Sequence, residues 1–463
     1  MQKNWLSKIP HPVVLLFLIM IAVAGLTYII PAGEYQRELI NGRLRVVPGT
    51  FKEITSTPTG FMDLFRALPI GFKGAAEVIY VVLAGGIMFG VLQKSKMIEN
   101  VVGSIVKYMG HNQKYLLIIL MTYIFGMAGV AIGYENNIAL VPIAAVLSLA
   151  IGGDLMLAAG MSVGAITVGF GLSPINPYTV GIGHKIADLP MFSGAILRSI
   201  LCFSGLSMMA YYNLRYFKKI EKNKDLSLTK NVNVSGLILS KDIQKYHISK
   251  QDFIILFIFL GGMSFMLYGI FTYQWYLNDI SAVFIIISIA SGIAARLKPF
   301  ALGDTILKYV AISAPGAFMV GLAAAIKVLM EQAHISDSIS YNLATLLEGM
   351  SGYSAAVFMS ISQGVINFLI PSGSGQALAT LPVMIPVGDL LGLTRQTSIL
   401  AFQIGDGVAN LINPTLGGLI AMLGMCRVSL DKWLRFIFPV TIFILIISWI
   451  FLMFSVYINW GPA

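Results

Sequence analysis

The sequence predicts an all-α polytopic membrane protein in which two inverted repeats each carry a re-entrant helical hairpin and a broken helix. Three observations predict it. The 463-residue chain is 57% hydrophobic and only 11% charged, with a mean hydropathy of +0.81, against roughly 25% charged residues in a typical soluble domain. Uncharged stretches of about 18 to 22 residues, the length a bilayer core demands of a helix, recur along it. Two pairs of polar interruptions recur at a single offset. This composition excludes a soluble enzyme, a disordered regulator and a nucleic-acid partner. The net charge of +10 marks cytoplasmic loops and not a polyanion site. Cys202 and Cys426 both lie in apolar segments and suggest packing, not a disulfide framework or a metal site.

The first apolar stretch, Val13 to Ile30, follows Lys3 and Lys8 as a signal peptide would. It is long for such a segment, and Pro31-Ala32-Gly33-Glu34 is a poor cleavage site, so it reads as a true span. Nine full spans follow from the same ruler: 12–31, 75–93, 155–183, 191–213, 252–272, 280–296, 308–330, 397–423 and 436–457. Two more apolar stretches are interrupted. Residues 115–150 break at Gly133-Tyr134-Glu135-Asn136-Asn137, and 354–388 break at Pro371-Ser372-Gly373-Ser374-Gly375-Gln376. Each half looks too short to cross, so each stretch is expected to enter the membrane and turn back.

Charge sets the expected orientation. Residues 214–250 carry Arg215, Lys218, Lys219, Lys222, Lys224, Lys230, Lys241, Lys245 and Lys250 against Glu221, Asp225 and Asp242, which places this loop in the cytoplasm. The N-terminus, Lys94–Lys114, Arg296–Lys308 and Arg427–Arg435 fall on the same side, and the C-terminus falls outside. The protein is then a multi-pass component of the inner (cytoplasmic) membrane.

Ile175-Asn176-Pro177 recurs as Ile412-Asn413-Pro414, an offset of 237. The same offset lays Val91-Leu92 on Val328-Leu329, Ile98 on Ile335 and Glu135 on Ser372. The expected organisation is a first repeat over 1–213 (hairpin 115–150, broken helix 155–183). A basic cytoplasmic loop and linking span follow over 214–279, then a second repeat over 280–463 (hairpin 354–388, broken helix 397–423). The mates run in opposite directions under this topology. Inverted repeats with broken helices meeting near the midplane are the architecture of secondary transporters.

Irregular backbone at bilayer depth is tolerated where it lines a cavity. Pro177 and Pro414 suit the first turn of a new half-helix, and Asn176 and Asn413 stand where a capping side chain would. Half-helix N-termini can hold a carboxylate, and carbonyls at the other ends can hold Na⁺ or an ammonium group. The candidate substrate-binding residues cluster at these breaks. They are Glu135, Asn136, Asn137, Ser173, Asn176 and Thr179 in the first half, and Ser372, Ser374, Gln376, Asp406, Asn410, Asn413 and Thr415 in the second. Glu135 and Asp406 are ionisable groups inside a membrane with no Lys or Arg near them in sequence, and so favour a cationic group. Lys327 reads as the lone basic residue well inside a span, paired with Glu331 one turn on. Asp154 and Asp389 read as interfacial helix caps, and His184 as a loop histidine at the outer interface.

The residues after the first span (Ile29-Ile30-Pro31-Ala32-Gly33-Glu34-Tyr35), Gly133-Tyr134-Glu135-Asn136, Ser173-Pro174-Ile175-Asn176-Pro177, Pro371-Ser372-Gly373-Ser374-Gly375-Gln376-Ala377 and Gly405-Asp406-Gly407 with Asn413-Pro414 carry a resemblance over essentially the whole chain. It resembles the C4-dicarboxylate anaerobic carrier family, in its YfcC-like branch, within the ion transporter superfamily. The resemblance implies an ion-transporter fold of elevator type and a homodimer. It also implies substrate between the hairpin tips, with Na⁺ among Asn136, Asn176, Ser374 and Asn413. The first tip carries Glu135 where dicarboxylate carriers of the superfamily have Ser-Asn-Thr, and YfcC-like proteins look like amino-acid carriers.

The expected function is secondary active transport of an amino acid, most simply a basic one in arginine/ornithine exchange. The alternative is Na⁺- or H⁺-coupled C4-dicarboxylate transport. No cofactor is expected beyond Na⁺ or H⁺ as coupling ion. An enzyme is not expected, because no nucleophile stands beside a base, and no phosphate-binding loop with Lys is present.

Overall fold

The computed structural model describes residues 12–40, 43–47, 49–109, 113–241, 243–273, 275, 277–347 and 349–461. Lys3 and Lys8 of the expected cytoplasmic N-terminus lie outside the described residues. The first half runs α1 (Pro12–Leu26), α2 (Phe61–Gly74), α3 (Ala76–Lys94), α4 (Met97–Met109), α5 (Lys114–Ile132), α6 (Val141–Ala150), α7 (Leu155–Ala159), α8 (Ala165–Gly171), α9 (Ile182–Ile186) and α10 (Ala195–Lys222). The second runs α11 (Lys250–Tyr273), α12 (Leu277–Ala294), α13 (Pro299–Gln332), α14 (Ile335–Thr345), α15 (Gly352–Leu369), α16 (Gly373–Leu390), α17 (Arg395–Ala409), α18 (Gly417–Met425) and α19 (Leu430–Tyr457).

Seven helices among the described residues are long and apolar enough to cross a membrane. Six of them, α3, α10, α11, α12, α13 and α19, coincide with expected spans. The seventh, α5, corrects an expectation. Nothing in 115–132 interrupts a helix, so the half expected to be too short runs for 19 residues, until Gly133 ends it at φ +103°. The span expected over 12–31 is a 15-residue helix that stops at Leu26. The spans 155–183 and 397–423 are each two helical pieces, parted at 172–176 and 410–416, the first with π-helical turns at Gly160–Gly164 and Pro177–Gly181.

The fold is not wholly helical. After α1 come β1 (Gly33–Glu34), β2 (Arg37–Ile40), β3 (Arg43–Val46) and β4 (Lys52–Glu53). These form two antiparallel ladders, Gly33 opposite Glu53 and Arg37 opposite Val46. They dock on α14, where Asp337 accepts from the Tyr35 amide at 3.0 Å and pairs with Arg37 at 2.7 Å. On α4, Glu99 receives Ser240 and Tyr246 of the basic loop. Burial alone would raise the Glu99 carboxyl, but hydrogen bonds from Ser240, Tyr246 and Lys96 outweigh it and hold it at about 2.

Adding 237 to α5 gives 351–369, against 352–369 for α15. The same shift takes α4 to 334–346, against 335–345 for α14, and α10 to 432–459, against 430–457 for α19. The packing follows suit: α5 lies on α8, and α15 lies on α17. α8 and α17 meet at Gly171 and Gly407, where a Cβ on Gly171 would stand 2.7 Å from the Gly407 backbone. Only residues without side chains let two helices approach this closely. The contact brings the two parted helices together, and with them the four breaks. α13 packs against α1, α2, α3 and α18 and faces that junction from the other side.

Candidate functional site

Each break leaves helix-end groups without intrahelical partners, and polar side chains take them up. Beyond Gly133 the chain makes a 3-10 turn, Glu135–Leu140, and Pro142 opens α6. Asn137 Nδ2 donates to the Gly133 carbonyl and, at 3.3 Å, to that of Ala128. Tyr134 shares a hydrogen bond with Thr167 at 3.1 Å. At the next break Asn176 reaches both ways: its Nδ2 donates to Phe170 O at 3.0 Å, and its Oδ1 accepts from the Tyr178 and Thr179 amides at 2.9 and 3.3 Å.

The second half is wired differently. Ser372 caps α16 by accepting from the Gly375 amide. Asn413 Oδ1 accepts from the Thr415 amide at 2.9 Å, and its Nδ2 donates to Asn367 Oδ1 at 2.7 Å. Asn367 Nδ2 in turn donates to Asp406 Oδ1 at 2.8 Å. Gln376 donates to both oxygens of Gln363 at 2.8 Å, and Trp433 Nε1 donates to the Leu411 carbonyl at 2.8 Å.

The breaks surround a cavity of about 270 Å³. Its wall is Gly133–Asn136 from the first break, Pro371–Ser374 from the third, and Asn410 with Thr415–Gly418 from the fourth. α3 and α13 close it with Ala75, Val78, Val320, Ala323 and Lys327. Two helix N-termini reach this wall, those of α16 and α18, and α18 begins without a side-chain cap. Lys327 Nζ pairs with Glu331 at 3.4 Å, as expected.

Six of the thirteen candidate residues therefore line the cavity: Glu135, Asn136, Ser372, Ser374, Asn410 and Thr415. Asn137, Ser173, Asn176, Thr179, Gln376, Asp406 and Asn413 lie buried behind the wall. Of the four residues expected to hold Na⁺, Asn136 and Ser374 face the cavity, Asn176 caps the turn that Pro177 opens, and Asn413 closes the turn before α18, whose N-cap is Leu416, so the expected helix cap at Asn413 is corrected. Among the described residues no group of three or more His, Cys, Asp and Glu side chains is placed to hold a metal ion.

Two readings are corrected here. Lys327 is not the lone basic residue inside a span. Arg198 of α10 is fully buried, donating to Gln403 at 3.0 Å, Gln396 at 2.9 Å and the Ser193 carbonyl at 3.0 Å, with its guanidinium 4.8 Å from the Trp460 ring centre. An arginine inside an otherwise apolar run was the available signal. His184 is not a loop histidine: it lies on α9, fully buried, bonded to Gln396 at 3.1 Å, and its Nδ1 accepts from the Phe192 amide. Asp154 does cap α7 through the Leu157 amide, whereas Asp389 pairs with Arg395 near the end of α16. Asn367 and Gln363 were missed altogether; they stand one helical turn apart on α15, an amide pair on one face of an apolar helix.

The chain is 27% identical to an Escherichia coli (strain K12) protein named "Putative basic amino acid antiporter YfcC", over 94% of this chain and 93% of that one. It is 23% identical to an uncharacterised Haemophilus influenzae protein over 98% of each. Among solved structures it is similar to Neisseria gonorrhoeae MtrF, described as one of a class of antimetabolite efflux pumps, at 17% identity and a TM-score of 0.46 over 99% and 98% of the two chains. It is also similar to the Alcanivorax borkumensis YdaH transporter, at 16% identity and a TM-score of 0.45 over 98% and 100%. Residues 9–457 match the family described as C4-dicarboxylate anaerobic carrier. The chain belongs to that family and is a multi-pass membrane transporter, not an enzyme.

Proposed function

We propose that this transporter exchanges basic amino acids, arginine or ornithine, across the inner membrane. The observation that carries the reading is the make-up of the cavity wall: one carboxylate, Glu135, shares it with the N-termini of α16 and α18. A helix N-terminus favours a carboxylate and Glu135 favours an amine, so one wall suits both ends of a cationic amino acid. The name of the Escherichia coli relative points the same way. In this reading the two halves are inverted repeats whose interrupted segments turn back within the membrane. The interrupted segments and the parted helices of both halves move as one body past α3 and α13 in an elevator step, in a homodimer with the N-terminus cytoplasmic and the C-terminus outside.

The second reading is Na⁺- or H⁺-coupled C4-dicarboxylate transport, and it draws on Lys327 in the same wall. Liposomes loaded with ornithine and given labelled arginine separate the two. Exchange that falls at least a hundredfold in Glu135→Gln supports the first. Uptake of succinate but not arginine, with Glu135→Gln unaffected, replaces it with the second.

A further inference from the structure

Asp406 is fully buried on α17. Its Oδ1 accepts from Asn367, and its Oδ2 has no hydrogen-bond partner. The Thr179 hydroxyl, 1% exposed, likewise has none. The two side chains abut one residue: a Cβ built on Gly373 would stand 2.7 Å from the methyl carbon, Cγ2, of Thr179 and 3.3 Å from Asp406 Oδ2. Gly373 is the first residue of α16 and lines the cavity. A thin piece of backbone, with no side chain, thus separates the cavity from an unsatisfied carboxylate oxygen.

The residues shown against Asp406 are neutral, Asn367 of α15 and Gly373 of α16, and Thr179 lies on the same glycine. Among the described residues no Lys, Arg or His is within ion-pair distance of it. On neighbouring elements, His184 is held by Gln396, Arg198 by Gln396 and Gln403, and Arg395 pairs with Asp389. From the cavity wall this region is faced by another carboxylate, Glu135, and by Lys327, which pairs with Glu331 at 3.4 Å. An ionised carboxylate in such surroundings is costly without a cation. The α16 N-terminus supplies about half a positive charge, and a substrate carboxylate docking on its cavity side would have to share that half charge with Asp406.

We propose that Asp406 and Thr179 form a site for a small monovalent cation, H⁺ or Na⁺, whose binding frees the α16 N-terminus for the substrate carboxylate. This rests on the reading that an organic carboxylate docks at α16. It gives the two membrane carboxylates separate tasks: Glu135 takes the substrate amine and Asp406 takes the coupling cation. The coupling has a definite sign. Cation binding raises substrate affinity, and substrate raises cation affinity by the same factor.

The test is thermal stabilisation of the purified full-length protein by arginine and by succinate. One arm exchanges Na⁺ for choline at fixed pH, and the other varies pH in choline. In the wild type the half-saturating arginine concentration should rise at least tenfold on removing Na⁺, if Na⁺ is the ligand, or on raising pH, if a proton is. Asp406→Asn, which mimics the neutralised carboxylate, should bind arginine at the tight value in every condition. Glu135→Gln should lose the arginine shift and keep the response of the ligand-free protein to the cation. Should Asp406→Asn not fold, Thr179→Val takes its place and should need at least five times more cation for the same effect. Wild-type affinity indifferent to both Na⁺ and pH, or the same dependence in wild type and Asp406→Asn, overturns the site. The ligand-free response to Na⁺ or pH, lost in Asp406→Asn, upholds it even if neither arginine nor succinate binds and the substrate reading fails.

Discussion

The breaks of the first half and those of the second solve one problem by different wiring. In the first half the two asparagines serve their own neighbourhood: Asn137 reaches Gly133 and Ala128, and Asn176 reaches Phe170, Tyr178 and Thr179, while Tyr134 crosses to Thr167. In the second half the bonds cross the fold, Asn367 to Asp406 and Asn413 to Asn367. Locally satisfied backbone can shift without disturbing a distant element. An interlocked amide network has to move as a block, because parting any two members strands buried polar atoms. The comparison teaches that the two halves do not share their work evenly: the first presents a carboxylate, Glu135, to the cavity, while the second presents Lys327 and neutral polar groups backed by an interlocked frame.

The strongest way to break this contrast is at Asn367. Replacing it with Ala leaves the buried Asp406 Oδ1 without its donor and takes from Asn413 Nδ2 one of its two acceptors, the Asn367 carbonyl remaining, which should cost about 3 kcal/mol. The melting curve of the purified protein checks this, and transport should fall with it. Asn137→Ala strands carbonyls of one helix end only and should cost about 1–2 kcal/mol. If the two losses are equal, the contrast between local and interlocked wiring is wrong. Asn176→Ala removes one cap and should cost about 1 kcal/mol, whereas Asn176→Asp, which keeps the accepting oxygen, should recover part of that loss. Combining Asn137→Ala with Asn176→Ala should give nearly additive losses, while Asn367→Ala with Asn413→Ala should cost less than the sum, because both sit in one network.

The smallest effect lies away from the breaks, at Glu99. Its carboxyl is held at about 2, below its usual value of 4.5, so it favours the folded state above pH 4.5 and loses that contribution as pH falls toward 2. Glu99→Gln should therefore flatten the acid limb of the stability profile and leave the region above pH 5 parallel to wild type.

Much of this was legible in the sequence because the breaks use residues with strong backbone demands. Gly133 ends a helix, Pro177 opens one and Asn176 caps it, and each of these roles follows from residue type, whereas Asn413 and Pro414 stand in a turn and α18 begins only at Gly417. Less legible were groups whose role depends on what lies opposite. Gln363 and Asn367 sit in the last two turns of an apolar helix, where nothing local marks them, and their partners are on other helices or after a turn. Arg198 was passed over because a single charge in a long apolar segment does not change its span assignment, yet it binds Gln403, which in turn holds the Ser173 carbonyl at the first-half break. Sequence also grouped Glu135 with Asp406 as equivalent carboxylates, and only burial and contact separate them. The short ladders after α1 went unread because strands of two and four residues have no period to detect.

α13 is 34 residues long, about 51 Å at 1.5 Å per residue, while the hydrocarbon core is about 30 Å thick. A rod longer than the slab it crosses must lean or protrude, and its lean follows the thickness of the slab. Because Val320, Ala323 and Lys327 of that rod form one side of the cavity, any change in its lean would change the width of the cavity, and with the proposed function lipid chain length is expected to act on substrate binding. The same molecule placed in thinner and thicker bilayers would hold its cargo with different grip, without a single residue being changed.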